Sequence, residues 1–157
     1  MKRLSALLLS ALVGGLFYVA AARAAANYND TLRAFRTAAS KGEGDAVLFE
    51  AAGDLPGMGK VTFTRDGNSV TGGTWNMTVL PPNAGATSAE RGRLKGSVTG
   101  GTVSFNADGT FAGADSLQLA VEGGTGQMAD AKGTGTVSLA PNPENPSQLT
   151  GTLVLNF

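Results

Sequence analysis

One glycine motif and a few ionisable side chains hold whatever chemistry this sequence offers. Gly124 to Ala129, GTGQMA, matches G-x-G-x-x-A, the pattern of a dinucleotide-binding loop. That chemistry needs a helix behind the glycines, so that free N–H groups and a positive dipole end meet the pyrophosphate. Only Gln127 to Lys132 are available before Gly133 and Gly135 interrupt, which is under two turns. Glu144 falls at the offset of a ribose-binding acid, but it lies within PNPENP, where the prolines exclude the second strand of a βαβ unit. The motif is therefore expected to join two strands through a turn or bulge, with a positive φ at Gly124 or Gly126. No cofactor is implied.

Strand phase selects four ionisable residues that share register with apolar positions. Asp45 is in phase with Val47 and Phe49, Arg65 with Val61 and Phe63, Glu90 with Leu94, and Asp115 with Leu117 and Leu119. In an up-and-down meander, Asp45 and Arg65 would meet at one mouth as a surface ion pair of small energetic weight. Glu90 and Asp115 would share the opposite mouth. Two carboxylates on an apolar rim raise one another's pKa and would serve as an acid/base pair, which makes them the catalytic candidates; the alternative is ordinary solvated strand ends.

The chain has no His and no Cys. That excludes histidine triads, thiolate nucleophiles and the commonest zinc ligands. Asn106, Asp108 and Asp115 lack the spacing of a calcium loop and fit a hairpin turn at Asp108-Gly109 better. No metal site is expected.

The elements that would position these residues follow from hydrophobic period. Residues 27–40 show Tyr28, Leu32, Phe35 and Ala39 at spacings of four, three and four, with Asn29 or Asp30 as a possible N-cap, which predicts one short helix. From Asp45 the period becomes two. It predicts eight strands, at 45–51, 58–65, 68–80, 90–99, 101–106, 110–122, 133–140 and 148–157, with Gly100-Gly101 read as a direct turn. Connections this short force antiparallel neighbours. One apolar and one Thr- and Ser-rich face per strand suit a closed sheet or two packed sheets, and eight strands without spare edges favour an antiparallel β-barrel over a sandwich.

The first 26 residues read as a secretory leader: Lys2 and Arg3, an apolar run from Leu4 to Ala22, and Ala24-x-Ala26 before the cut. The division expected is thus 1–26 signal peptide, 27–44 helical linker and 45–157 barrel, in a secreted or periplasmic protein without a lasting membrane anchor. Losing Lys2, Arg3 and Arg23 from 12 basic residues leaves nine against 12 acidic ones, a net charge of −3. A nucleic-acid partner is not expected; a homo-oligomer is left open.

The segment VEGGTGQMADAKGTGTV adds a resemblance. Val121, Gly123, Gly124, Thr125, Gly126, Ala131 and Gly133 resemble the signature of the allene oxide cyclase and dirigent barrel-like superfamily, which includes small exported bacterial proteins. The resemblance implies an eight-stranded antiparallel barrel with this motif, structural in role, at a late hairpin. Plant members hold a reactive apolar molecule in the barrel; their catalytic residues do not map onto this chain, and Met128 stands where an aromatic residue is common. Three readings follow. The first is an exported, non-catalytic barrel binding a small apolar or aromatic molecule, lined by Phe63, Trp75, Met77 and Phe105, with small inward residues such as Gly96 and Gly135 leaving room. The second is a cyclase or isomerase using Glu90 or Asp115. The third is a structural or surface-interaction protein with a filled barrel.

Overall fold

The computed structural model describes residues 25–37, 45–82, 89–145 and 147–157. The expected signal peptide falls almost wholly outside them. Eight strands run β1 Asn27–Thr37, β2 Asp45–Gly53, β3 Gly57–Asp66, β4 Ser69–Val79, β5 Gly92–Phe105, β6 Phe111–Gly126, β7 Gly133–Pro141 and β8 Leu149–Asn156. Each pairs antiparallel with its sequence neighbour, and β1 closes on β8. The result is an all-β closed barrel, so every strand finds two partners and no edge stays open.

The expected N-terminal helix is corrected. Asn27–Thr37 is a strand, paired from Asp30 to Thr37 with β2 and from Asn27 to Ala34 with β8; residues 38–40 lie outside the described residues. Asp30, Leu32 and Ala34 are buried while Asn29, Thr31 and Arg33 are exposed, a period of two that the polar Asp30 conceals in the sequence. Closing both barrel edges satisfies far more backbone groups than one short amphipathic helix would. The barrel therefore begins at Asn27, not at residue 45.

The two strands expected at 90–99 and 101–106 are one, β5. The expected total of eight thus combined a missed strand with a divided one. Gly100-Gly101 is a bulge, marked by register shifts against β6 on both sides of Gly100, and it lets Val98 and Val103 both face inward although an odd number of residues apart. Opposite it, β6 shifts register against β7 between Ala114 and Leu117, and Ser116 adopts a left-handed φ of 52°.

The interior is filled by its own side chains. Phe63, Val79, Leu94 and Leu155 are 0 % exposed, Met77 1 % and Trp75 2 %, so their side chains are packed against protein. Interior glycines act as notches for large neighbours. A Cβ on Gly96 would lie 2.7 Å from the Trp75 indole nitrogen, one on Gly135 2.6 Å from Leu155 Cδ2, and one on Gly59 would strike the Phe49 ring. The room expected at Gly96 and Gly135 is occupied. Trp75 is also anchored, its indole N–H donating to Ala120 O at 2.9 Å. Eight strands enclose a space that side chains can just fill, and here large residues facing glycines fill it.

Candidate functional site

Antiparallel alternation puts the starts of β1, β3, β5 and β7 at one mouth, here the upper, and the starts of β2, β4, β6 and β8 at the lower. At the lower mouth the expected pair forms: Arg65 Nε donates to Asp45 Oδ2 at 2.8 Å. Arg65 also donates to Gly67 O at 2.7 Å and stacks its guanidinium 4.0 Å above the Phe105 ring. Phe105 meets Phe111 edge-on at 5.6 Å, and Phe111 lies 6.0 Å from Phe63. This end is an aromatic lid roofed by a cation. Phe105, expected in the lining, is a rim residue; Phe63, Trp75 and Met77 point inward as expected but pack against protein.

The carboxylate pair is not assembled. Glu90 precedes β5 at the upper mouth, exposed and paired with Arg93 at 3.4 Å. Asp115 pairs across from Thr102 in the lower half, on the order of 30 Å of strand away. It is exposed on the outer wall, because the bulge at Asp115 and Ser116 inverts the alternation that put it in phase with Leu117. The Asn106–Thr110 segment is the expected hairpin turn, in which Asp108 Oδ1 accepts from the Thr110 amide at 2.9 Å and from its hydroxyl at 2.6 Å. Among the described residues no cluster of acidic side chains could hold a metal ion.

The upper mouth supplies what the sequence reading missed. Asp30 points inward in phase with Leu32 and Ala34, opposite Gly53 and Leu153, and is 3 % exposed. Its Oδ1 accepts the Leu55 amide at 2.9 Å; its Oδ2 has no partner among the described residues. Burial pushes its pKa above the ordinary 3.8, the Leu55 bond opposes that shift, and the neighbouring charge of Asp54 adds to it. The spacing Tyr28, Asp30, Leu32, Ala34 was the available signal.

Just outside lies a recess of about 640 Å3 lined by Tyr28, Arg91, Gln127, Met128, Lys132 and Phe157, among others. Tyr28 and Phe157 stack at 4.9 Å, forming an aromatic wall. Arg91, which lines the recess, donates from Nε to Gln127 Oε1 at 2.8 Å. The glycine motif builds the other side. Gly123, Gly124, Thr125 and Gly126 end β6, a turn follows, and Gly133 starts β7, so the motif does join strand to strand. Met128 and Ala131 from that turn are buried in the core.

Gly126 has the expected positive φ, +59°, and a Cβ there would lie 2.6 Å from Arg91 O. Gly126→Ala is therefore expected to destabilise the fold by about 1 kcal/mol or more. A lowered midpoint of urea unfolding would register it; an unchanged midpoint would contradict a structural role for the motif.

The fold and mouths define a closed eight-stranded antiparallel meander barrel with a packed interior and one recessed rim. Comparison with protein-family models, with curated proteins and with solved structures finds no match.

Proposed function

We propose that this is an exported binding barrel, non-catalytic, which holds a small molecule with an apolar or aromatic body at the upper mouth. The observation that carries the reading is the contrast between the barrel interior and the upper recess. The interior is closed by Phe63, Trp75 and Met77 at 2 % exposure or less, whereas the upper recess offers the Tyr28 and Phe157 rings beside the charged side chains of Arg91, Lys132 and Asp130. The recess is thus a largely polar rim with an aromatic wall on one side, suited to a ligand that pairs an aromatic or apolar body with polar groups. The resemblance of the glycine motif to the allene oxide cyclase and dirigent superfamily supports a barrel that handles apolar molecules, and the leader-like first 26 residues support export.

Equilibrium dialysis of the mature chain against fatty acids, terpenoids and phenolics should find micromolar binding at best, since apolar burial at about 25 cal/mol per Å2 is offset by the costs of association. Tyr28→Ala should weaken it about tenfold, equivalent to about 1.4 kcal/mol. Binding unaffected by that substitution would contradict the recess as the site. No binding at all would favour a structural or surface-interaction role for the filled barrel.

A second reading, a cyclase or isomerase acting through a carboxylate, is favoured by Asp30 in place of Glu90 or Asp115. A buried carboxyl with an unused oxygen in an apolar wall suits proton transfer. Conversion of a panel member that is lost in Asp30→Asn would support it.

A further inference from the structure

We propose that the turn joining β2 to β3 is a proton-operated gate over the upper mouth: protonated Asp30 latches Leu55 into the core, and ionised Asp30 releases it. The turn is only Asp54, Leu55 and Pro56 between Gly53 and Gly57, yet Leu55 is 1 % exposed and belongs to the core cluster. A connecting segment rarely supplies a fully buried side chain. Here it works as a plug at the end of the barrel.

Beside that burial, four hydrogen bonds tie the turn down. The Leu55 amide donates to Asp30 Oδ1 at 2.9 Å, the Asn29 amide donates to Asp54 Oδ2 at 3.0 Å, and the Asp54 amide reaches Asn29 O at 3.4 Å. On the far side the Leu80 amide donates to Pro56 O at 2.8 Å, which fixes the Pro56 end as the pivot. Gly53, with φ +152°, forms the other hinge; a Cβ there would lie 2.7 Å from Asp30 Oδ1, so the bare backbone is also what lets the carboxyl approach.

The seat of Leu55 is sensitive to charge because the Leu55 amide alone favours a negative Asp30, and burial together with Asp54 outweighs it. On β1 the next inward side chain toward the mouth is Tyr28, and Arg33 lies on the outer face. Across on β2 is Gly53, followed by Asp54, a like charge. On β8 the partner is Leu153, and Leu149–Asn156 contains no ionisable side chain. A neutral carboxyl with one unused oxygen leaves a modest deficit; an ionised one in the same place is a buried charge held by a single amide. Swinging Asp54 and Leu55 outward hydrates Asp30 and separates it from Asp54. Opening would expose the carboxyl beside the recess, since Tyr28 is two residues along the same strand, about 6 to 7 Å away. This inference does not depend on the ligand reading.

The test is amide hydrogen exchange of the intact chain by NMR from about pH 3 to about pH 8, each rate corrected for its intrinsic pH dependence. Leu55 should lose about tenfold or more of its protection as Asp30 ionises, while Val61 in the middle of β3 should not, and Asp30→Asn should flatten the Leu55 profile. Parallel profiles for Leu55 and Val61, or a loss that persists in Asp30→Asn, would overturn the gate. Should that variant fail to fold, the carboxyl carbon resonance of Asp30 in the unaltered protein must titrate at the same midpoint as the Leu55 protection; separate midpoints would overturn it equally.

Discussion

Trp75→Ala is expected to lower the unfolding free energy by about 3 to 5 kcal/mol, a large share of the roughly 5 to 15 kcal/mol that a single domain has in reserve. The indole is 2 % exposed, its ring lies in the notch above Gly96, and its N–H reaches across the barrel wall to Ala120 O. Truncation removes the largest interior side chain, leaves that carbonyl short of a donor, and opens a cavity that a closed sheet cannot collapse to fill. Calorimetry or urea unfolding would read the loss. Trp75→Phe should recover much of the packing but not the hydrogen bond, so it should fall between. A Trp75→Ala variant within about 1 kcal/mol of the parent would mean that the interior is not packed around this residue.

Asp30→Asn is expected to act in the opposite direction, stabilising the protein at neutral pH by on the order of 1 kcal/mol or more. The sign follows from linkage. The folded-state pKa of Asp30 is raised above 3.8, so between the unfolded and folded values the native state binds the proton and the unfolded state does not. Stability contributed by this group is therefore greatest below the unfolded pKa, declines as pH rises toward the folded value, and stays low above it. Asn preserves an acceptor for the Leu55 amide and cannot ionise, so this part of the decline should vanish. Unfolding measured near pH 4 and at pH 7 for both proteins would reveal it. If the parent gained stability with rising pH by an amount that Asp30→Asn removed, Asp30 would be a well-paired carboxylate and both the latch and the site would be misassigned.

Where alternation ran uninterrupted, the sequence was legible. Val47 and Phe49, Val61 and Phe63, Trp75 and Met77, Leu153 and Leu155 all face inward as their spacing predicts, and Asp45 meets Arg65 at the mouth their strand order implies. The failures have separate physical causes. In β1 a polar residue occupies an inward position, and the remaining apolar residues also fit a helical spacing. At Gly100-Gly101 a bulge and a turn share the same local signal, because both need glycine; only pairing with β6 distinguishes them. Asp115 was lost to the bulge at Ser116, which shifts the phase by one residue and sends the side chain through the wall. Gly96 shows why a small inward residue does not imply a cavity: the neighbour that fills it, Trp75, is on another strand. Asp30 escaped attention because a carboxylate before an apolar run reads first as a cap, and only the β1 to β8 closure turns it inward.

The central claim, a packed interior with the ligand at the upper mouth, is tested most directly by two-dimensional NMR of the protein titrated with the tightest-binding member of the fatty acid, terpenoid and phenolic panel. The account predicts saturable shifts at Tyr28, Arg91, Met128, Lys132 and Phe157, with the indole N–H resonance of Trp75 unmoved. Saturable movement of that indole resonance together with Phe63 and Met77, and no change at Tyr28 or Phe157, would place the ligand inside the barrel and contradict the account.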